Sequence, residues 1–123
     1  MANTSLDVTK FKALVVRLLL SGKTEEALEQ LASFYRTSTP KIKVGLPKGH
    51  RKKTLACYTA RDKTIAVLNS DALMDPFTVL HEFYHHVRFR LGGLHRGTER
   101  NADEFARNFI ESYKLMIVRD THK

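Results

Sequence analysis

The sequence has one cysteine, Cys57, and no tryptophan, and only three of its 123 residues are proline. A lone cysteine excludes an intrachain disulfide and a thiolate zinc cluster, so any bound metal must be held by histidine and carboxylate groups. Long apolar runs are missing as well. The most apolar stretch, FKALVVRLLL at residues 11–20, is interrupted by Lys12 and Arg17. It falls well short of the roughly 20 residues a membrane span needs and carries no small-residue cleavage site, so it reads as a core helix. A cytoplasmic protein with no membrane association is therefore expected. Acidic residues are scarce in one region. Residues 41–63 hold eight Lys or Arg against the single acid Asp62, whereas the rest of the chain carries thirteen basic and twelve acidic side chains. That segment is either a solvated basic loop and hairpin or an electrostatic footprint for nucleic acid or an acidic protein.

With 42% hydrophobic and 28% charged residues, the chain has the composition of a folded protein. Its length suits one domain around one modest core. Residues 6–20 show helical periodicity, with Leu14, Val15 and Leu18 on one stripe and Ser21-Gly22 as the stop. A second helix over 24–36 has Thr24 as a candidate cap and Ala27, Leu28, Leu31 and Phe34 or Tyr35 as its apolar face. From residue 41 the texture changes to short β-branched or alternating runs. KIKVGL (41–46), TLACYT (54–59) and TIAVLN (64–69) are three strand candidates, the last two joined as a hairpin through ARDK. Asp75-Pro76 then marks a helix start and Gly92-Gly93 its stop, and Thr98 can cap a final helix. The expected fold is α+β: two N-terminal helices, a three-stranded mainly antiparallel sheet and two further helices.

HEFYHH (81–86) falls in the middle of the third helix. Helical residues four apart lie about 40° from one another, so His81 and His85 project from one face and can share a metal ion. Glu82 lies about 100° round from His81, where a carboxylate can act as a general base beside the metal without ligating it. A zinc site that works on a substrate needs a third protein ligand. His86 points away from His85. His95 sits in the following loop, but the spacing H-E-x-x-H-x-x-G-x-x-H would need histidine at position 91, which is Leu91. Glu99 precedes Ala102 by three residues and Ala106 by seven, on the apolar stripe of the last helix, whereas Glu104 lies off it. Glu99 is the preferred ligand, with a first-turn acid favoured by the helix dipole as the alternative. Asp103, four residues on, can accept a hydrogen bond from the outer nitrogen of a ligating histidine or stand exposed early in the helix.

The pair HEFYH (81–85) and ERNAD (99–103) resembles the gluzincin zinc peptidases, with H-E-x-x-H on one helix and E-x-x-x-D on the next. ERNADEFA (99–106) is similar to the E-x-x-A-N-x-F-A segment of ImmA/IrrE-type metallopeptidases, with Asp103 where asparagine is commoner. The short chain also looks like the single-domain minigluzincins of archaea. The resemblance covers the C-terminal half and implies a small zincin-like fold that hydrolyses peptide bonds of a peptide or protein substrate. It implies Zn2+ held by His81, His85 and Glu99, with Glu82 as general base and Asp103 orienting His81. Larger gluzincins stabilise the oxyanion from a C-terminal subdomain for which this chain has no room, leaving Arg88, His95 and Tyr113 as candidate donors. Some minigluzincins occur in a latent form in which their own chain obstructs the cleft, a role the resemblance leaves open to either terminal segment, residues 1–40 being a candidate regulatory helical segment ahead of the sheet and zinc-site helices in 41–123. The competing reading is a basic module that binds nucleic acid or protein on the same scaffold without turnover.

Overall fold

In a computed structural model, residues 5–47, 55–91 and 98–121 are described. Four α-helices and one short 3-10 turn surround a three-stranded sheet: α1 (Ser5–Leu20), α2 (Thr24–Phe34), β1 (Lys41–Val44), β2 (Ala56–Thr59), β3 (Thr64–Val67), the 3-10 turn (Ser70–Met74), α3 (Pro76–Leu91) and α4 (Thr98–Thr121). The α+β class and the order of elements follow the sequence reading. The sheet does not. Its strand order is β1-β3-β2, with β2 antiparallel to β3 but β1 parallel to it, so it is mixed rather than mainly antiparallel. Hairpin chemistry around Ala60–Lys63 fixes the first pairing locally, with Lys63 in the left-handed region at φ 51°. The second pairing joins strands separated by a long connection and by β2 itself, and no local signal sets its direction.

The core lies where α1, α3 and α4 meet under the inner face of the sheet. Val15, Leu19, Leu28, Leu31, Ile65, Val67, Leu80, Phe83 and Phe109 are almost fully buried. The stripe of α1 is centred on Val15 and Leu19, which puts Leu14 about 100° away from Val15, and Leu14 is accordingly exposed rather than part of the core. Lys12 is on the buried side. Its aliphatic stem lies in the α1–α4 seam, its ammonium donates to Asn108 Oδ1, and it sits 5.4 Å from the centroid of the Phe109 ring. Thr24 is not a cap either. Lys23 takes the capping position, and the buried Thr24 hydroxyl donates to the Leu73 carbonyl at 3.0 Å, tying α2 to the 3-10 turn.

Two local devices aim α3. Asn69 Oδ1 accepts from Ala72 N–H at 3.1 Å and starts the 3-10 turn, an element the sequence reading did not include. Asp75 then caps α3, accepting from Phe77 N–H at 3.2 Å and from the Thr78 hydroxyl at 2.6 Å, with Pro76 as the first helical residue. The expected Gly92-Gly93 stop lies outside the described residues, as does most of the basic connection between β1 and β2. Among the described residues, no helix is long and apolar enough to cross a membrane.

Candidate metal centre

The third and fourth helices bring five sequence-selected side chains together. His81 and His85 come from one face of α3, with ring centroids 5.0 Å apart. Glu99, in the first turn of α4, spans both: Oε2 is 3.0 Å from His81 Nε2 and Oε1 is 2.8 Å from His85 Nε2. Donor atoms of His81, His85 and Glu99 all lie within 4.8 Å of one another. Asp103 Oδ1 is 2.9 Å from His81 Nδ1. A carboxylate can only accept, so Nδ1 carries the proton, and in the neutral ring this leaves the Nε2 lone pair toward Glu99.

That arrangement fits a cation. An imidazole lone pair and a carboxylate oxygen are both acceptors, and at 3.0 Å they require a proton or a metal between them. Zinc bonds of about 2.0–2.1 Å place two tetrahedral ligands roughly 3.3 Å apart, close to the gaps observed. The centre is partly shielded: the His81 and His85 side chains are 14% and 19% exposed. Glu99 itself is 78% exposed. It continues the stripe of Ala102, Ala106 and Phe109, yet it lies one turn beyond the edge of the core, so it leans over the rim and is not buried as the periodicity suggested.

Glu82 is the charged side chain that the fold buries here. Its Oε2 is 4.0 Å from His81 Nε2, beside the ligand set and outside it. Burial pushes its carboxyl up to about 7, with the Glu99 charge adding to the rise and His81 and the Tyr58 backbone N–H opposing it. Burial likewise lowers His85, with Glu99 opposing, which favours the neutral ring a metal requires. For metal-stripped protein the sign is definite. A carboxyl whose folded value exceeds its unfolded value contributes its stability at low pH and loses it as pH rises. The stability advantage of Glu82→Gln over wild type should therefore be absent near pH 4 and grow between about pH 4.5 and about 7. Paired urea titrations of the two metal-free proteins across that window read it directly.

His86, excluded as a ligand, has a structural task that its sequence neighbours conceal. It is 3% exposed. Its Nε2 is 2.7 Å from the Ser38 carbonyl and its Nδ1 is 2.8 Å from the Tyr58 hydroxyl. Because the carbonyl can only accept, Nε2 holds the proton and Nδ1 accepts from Tyr58. One neutral ring thus ties α3 to β2 and to the segment before β1. Burial lowers its pKa, which keeps the ring neutral. Replacing it with leucine should cost about 1–3 kcal/mol by leaving polar partners unsatisfied, read as a lower urea midpoint at unchanged slope.

The three candidate oxyanion donors stand differently. Arg88 is half-buried on α3, one turn beyond His85. Tyr113 packs against the core fourteen residues along α4 from Glu99, roughly 21 Å at helical rise, and is too far to serve an oxyanion at this centre. His95 lies outside the described residues. Tyr58 is the residue that the sequence reading underused. The alternation in ACYT places it with Ala56 on the inner face, but its partner on α3 is 28 residues away and leaves no local trace.

Among the described residues β2 has no strand on its outer side, and it packs against α3. Leu68 N–H donates to the Leu55 carbonyl, so alternation turns the backbone groups of Leu55, Cys57 and Thr59 toward β3 and those of Ala56 and Tyr58 outward. The outward Tyr58 N–H is the one that touches the Glu82 carboxylate. No family model, curated protein or solved structure matches the chain.

Proposed function

We propose that the chain is a zinc-dependent peptidase of the gluzincin type, with a zincin-like arrangement of sheet edge and paired helices. One observation carries this reading. A buried carboxylate, Glu82, stands 4.0 Å from His81 Nε2, beside the group of His81, His85 and Glu99 that could hold a metal ion, and a fold that needed a metal only as a staple has no use for it.

His81 Nε2, His85 Nε2 and one Glu99 oxygen would hold the ion. Zinc bound there would supply Lewis acidity toward a scissile carbonyl and toward water. Glu82 accepts the proton of the attacking water at its carboxylate and returns it to the leaving amine nitrogen. Asp103 keeps the proton of His81 on Nδ1 and so keeps Nε2 available. An extended substrate pairs with the outward backbone groups of Ala56 and the outward Tyr58 carbonyl, beside the Tyr58 N–H that Glu82 already holds.

Metal analysis of the purified protein tests the centre. One zinc per chain, lost to a chelator together with hydrolysis of an unfolded protein substrate, is the expected result. Absence of stoichiometric metal after zinc reconstitution would sink the reading.

A further inference from the structure

Glu82 and His86 are four residues apart on α3 and therefore share one face of it. Both grip the same residue of β2. The Glu82 carboxylate accepts from the Tyr58 main-chain N–H, and His86 Nδ1 accepts from the Tyr58 hydroxyl at 2.8 Å. The two contacts differ in what stands behind them. His86 is buried, and its Nε2–H donates to the Ser38 carbonyl at 2.7 Å, which holds the ring in the tautomer whose Nδ1 can accept. Ser38 lies in the connection from α2 to β1, so this anchor comes from outside both α3 and β2. The Tyr58 and His86 rings also meet edge to face, with centroids 5.3 Å apart.

The main-chain contact has no such backing of its own. β2 is four residues long, all of them half-buried, and among the described residues it pairs with β3 on one side and with no strand on the other. An N–H on the open edge of a strand ordinarily faces water. That of Tyr58 meets a carboxylate on the neighbouring helix instead, and the contact depends on the spacing between β2 and α3. The Tyr58 side chain spans that gap. It leaves the inner face of the sheet beside Ile65, its partner on β3, packs on the core and ends on His86, one helical turn from Glu82.

We propose that Tyr58 is a positioning residue for the base: its hydroxyl, anchored on His86, fixes β2 at the spacing from α3 at which the Tyr58 N–H orients the Glu82 carboxylate beside His81, His85 and Glu99. The catalytic consequence rests on the peptidase reading, whereas the clamp of Tyr58 between Glu82 and His86 does not. One edge amide is thereby reserved for the base and withheld from the substrate, and the ring that reserves it touches no zinc ligand through its hydroxyl.

Tyr58→Phe tests this, because it keeps the ring and the backbone and removes the hydroxyl alone. Zinc content should match wild type and KM should stay within about twofold, while kcat falls by about 10- to 100-fold as the base loses its alignment. Thr24→Val is the control for a merely structural loss. It deletes another hydroxyl-to-carbonyl tie, between α2 and the 3-10 turn, and should lower the urea midpoint with kcat unchanged. Amide exchange of the metal-free, full-length chain, followed by NMR, supplies a readout without turnover. In wild type the Tyr58 amide should exchange more slowly than that of Ala56, the other outward amide of β2, and in Tyr58→Phe the two should exchange alike. Equal exchange of the two amides in wild type, a protected residue-58 amide in Tyr58→Phe, or an undiminished kcat in Tyr58→Phe beside an active wild type would overturn the proposal. So would an equal loss of kcat in Thr24→Val. A wild type with the expected exchange pattern and no zinc-dependent hydrolysis overturns the peptidase reading, and with it the catalytic role of Tyr58, while the clamp stands.

Discussion

Glu82→Gln should abolish hydrolysis while leaving zinc in place. Glutamine has nearly the same volume and fills the same buried position, but its amide cannot accept a proton from water. General acid–base groups contribute about 100- to 10,000-fold, so kcat should fall by that range while the zinc content stays at that of wild type. The side chain is outside the ligand set, 4.0 Å from His81 Nε2, which is why the two readouts separate. The substitution should also stabilise the metal-free protein at neutral pH, since it removes a carboxyl that burial holds near 7. Loss of turnover with a gain in stability is the signature of a residue kept for chemistry. Equal activity in the variant, with zinc bound in both, would remove Glu82 from the mechanism and leave the centre a structural one.

Local signals located α3 and its motif well. The Asp75-Pro76 start is written in adjacent residues, and the spacing of His81, Glu82 and His85 needs only helical geometry to become a site. Periodicity was less reliable where a stripe runs past the core. It assigned Leu14 and Glu99 to buried faces, and both are exposed, because a stripe states an angle around the helix axis and does not say how far along it the neighbouring element extends. Thr24 shows a different failure. A cap signal that is strong in isolation gave way to a tertiary acceptor, Leu73 O, 49 residues away. The direction of β1, the role of His86 and the reach of Tyr58 across to α3 all depend on pairings that span tens of residues, for which single-sequence patterns hold no information.

Glu99→Ala should cost more zinc affinity than any change outside the ligand set. The carboxylate is the only group from α4 that reaches both histidines, at 3.0 and 2.8 Å, so its loss reduces three protein donors to two. Asp103 calibrates the effect. It acts through His81, and removing such an orienting partner typically costs about 10- to 100-fold in metal affinity. Asp103→Ala should fall in that range. Asp103→Asn should retain most of the affinity, because an amide oxygen still accepts from His81 Nδ1. The loss in Glu99→Ala should exceed that of Asp103→Ala, and Glu104→Ala should match wild type, since Glu104 pairs with Arg100 on the exposed side of α4. Competition with a zinc chelator indicator gives all four values under one set of conditions. Folding does not confuse the comparison: Glu99 is 78% exposed, so its removal leaves the core untouched, and a circular dichroism melt of the metal-free variant should overlay that of wild type. If Glu99→Ala binds zinc as tightly as Asp103→Ala, the third ligand is another residue, and His95→Ala becomes the decisive comparison.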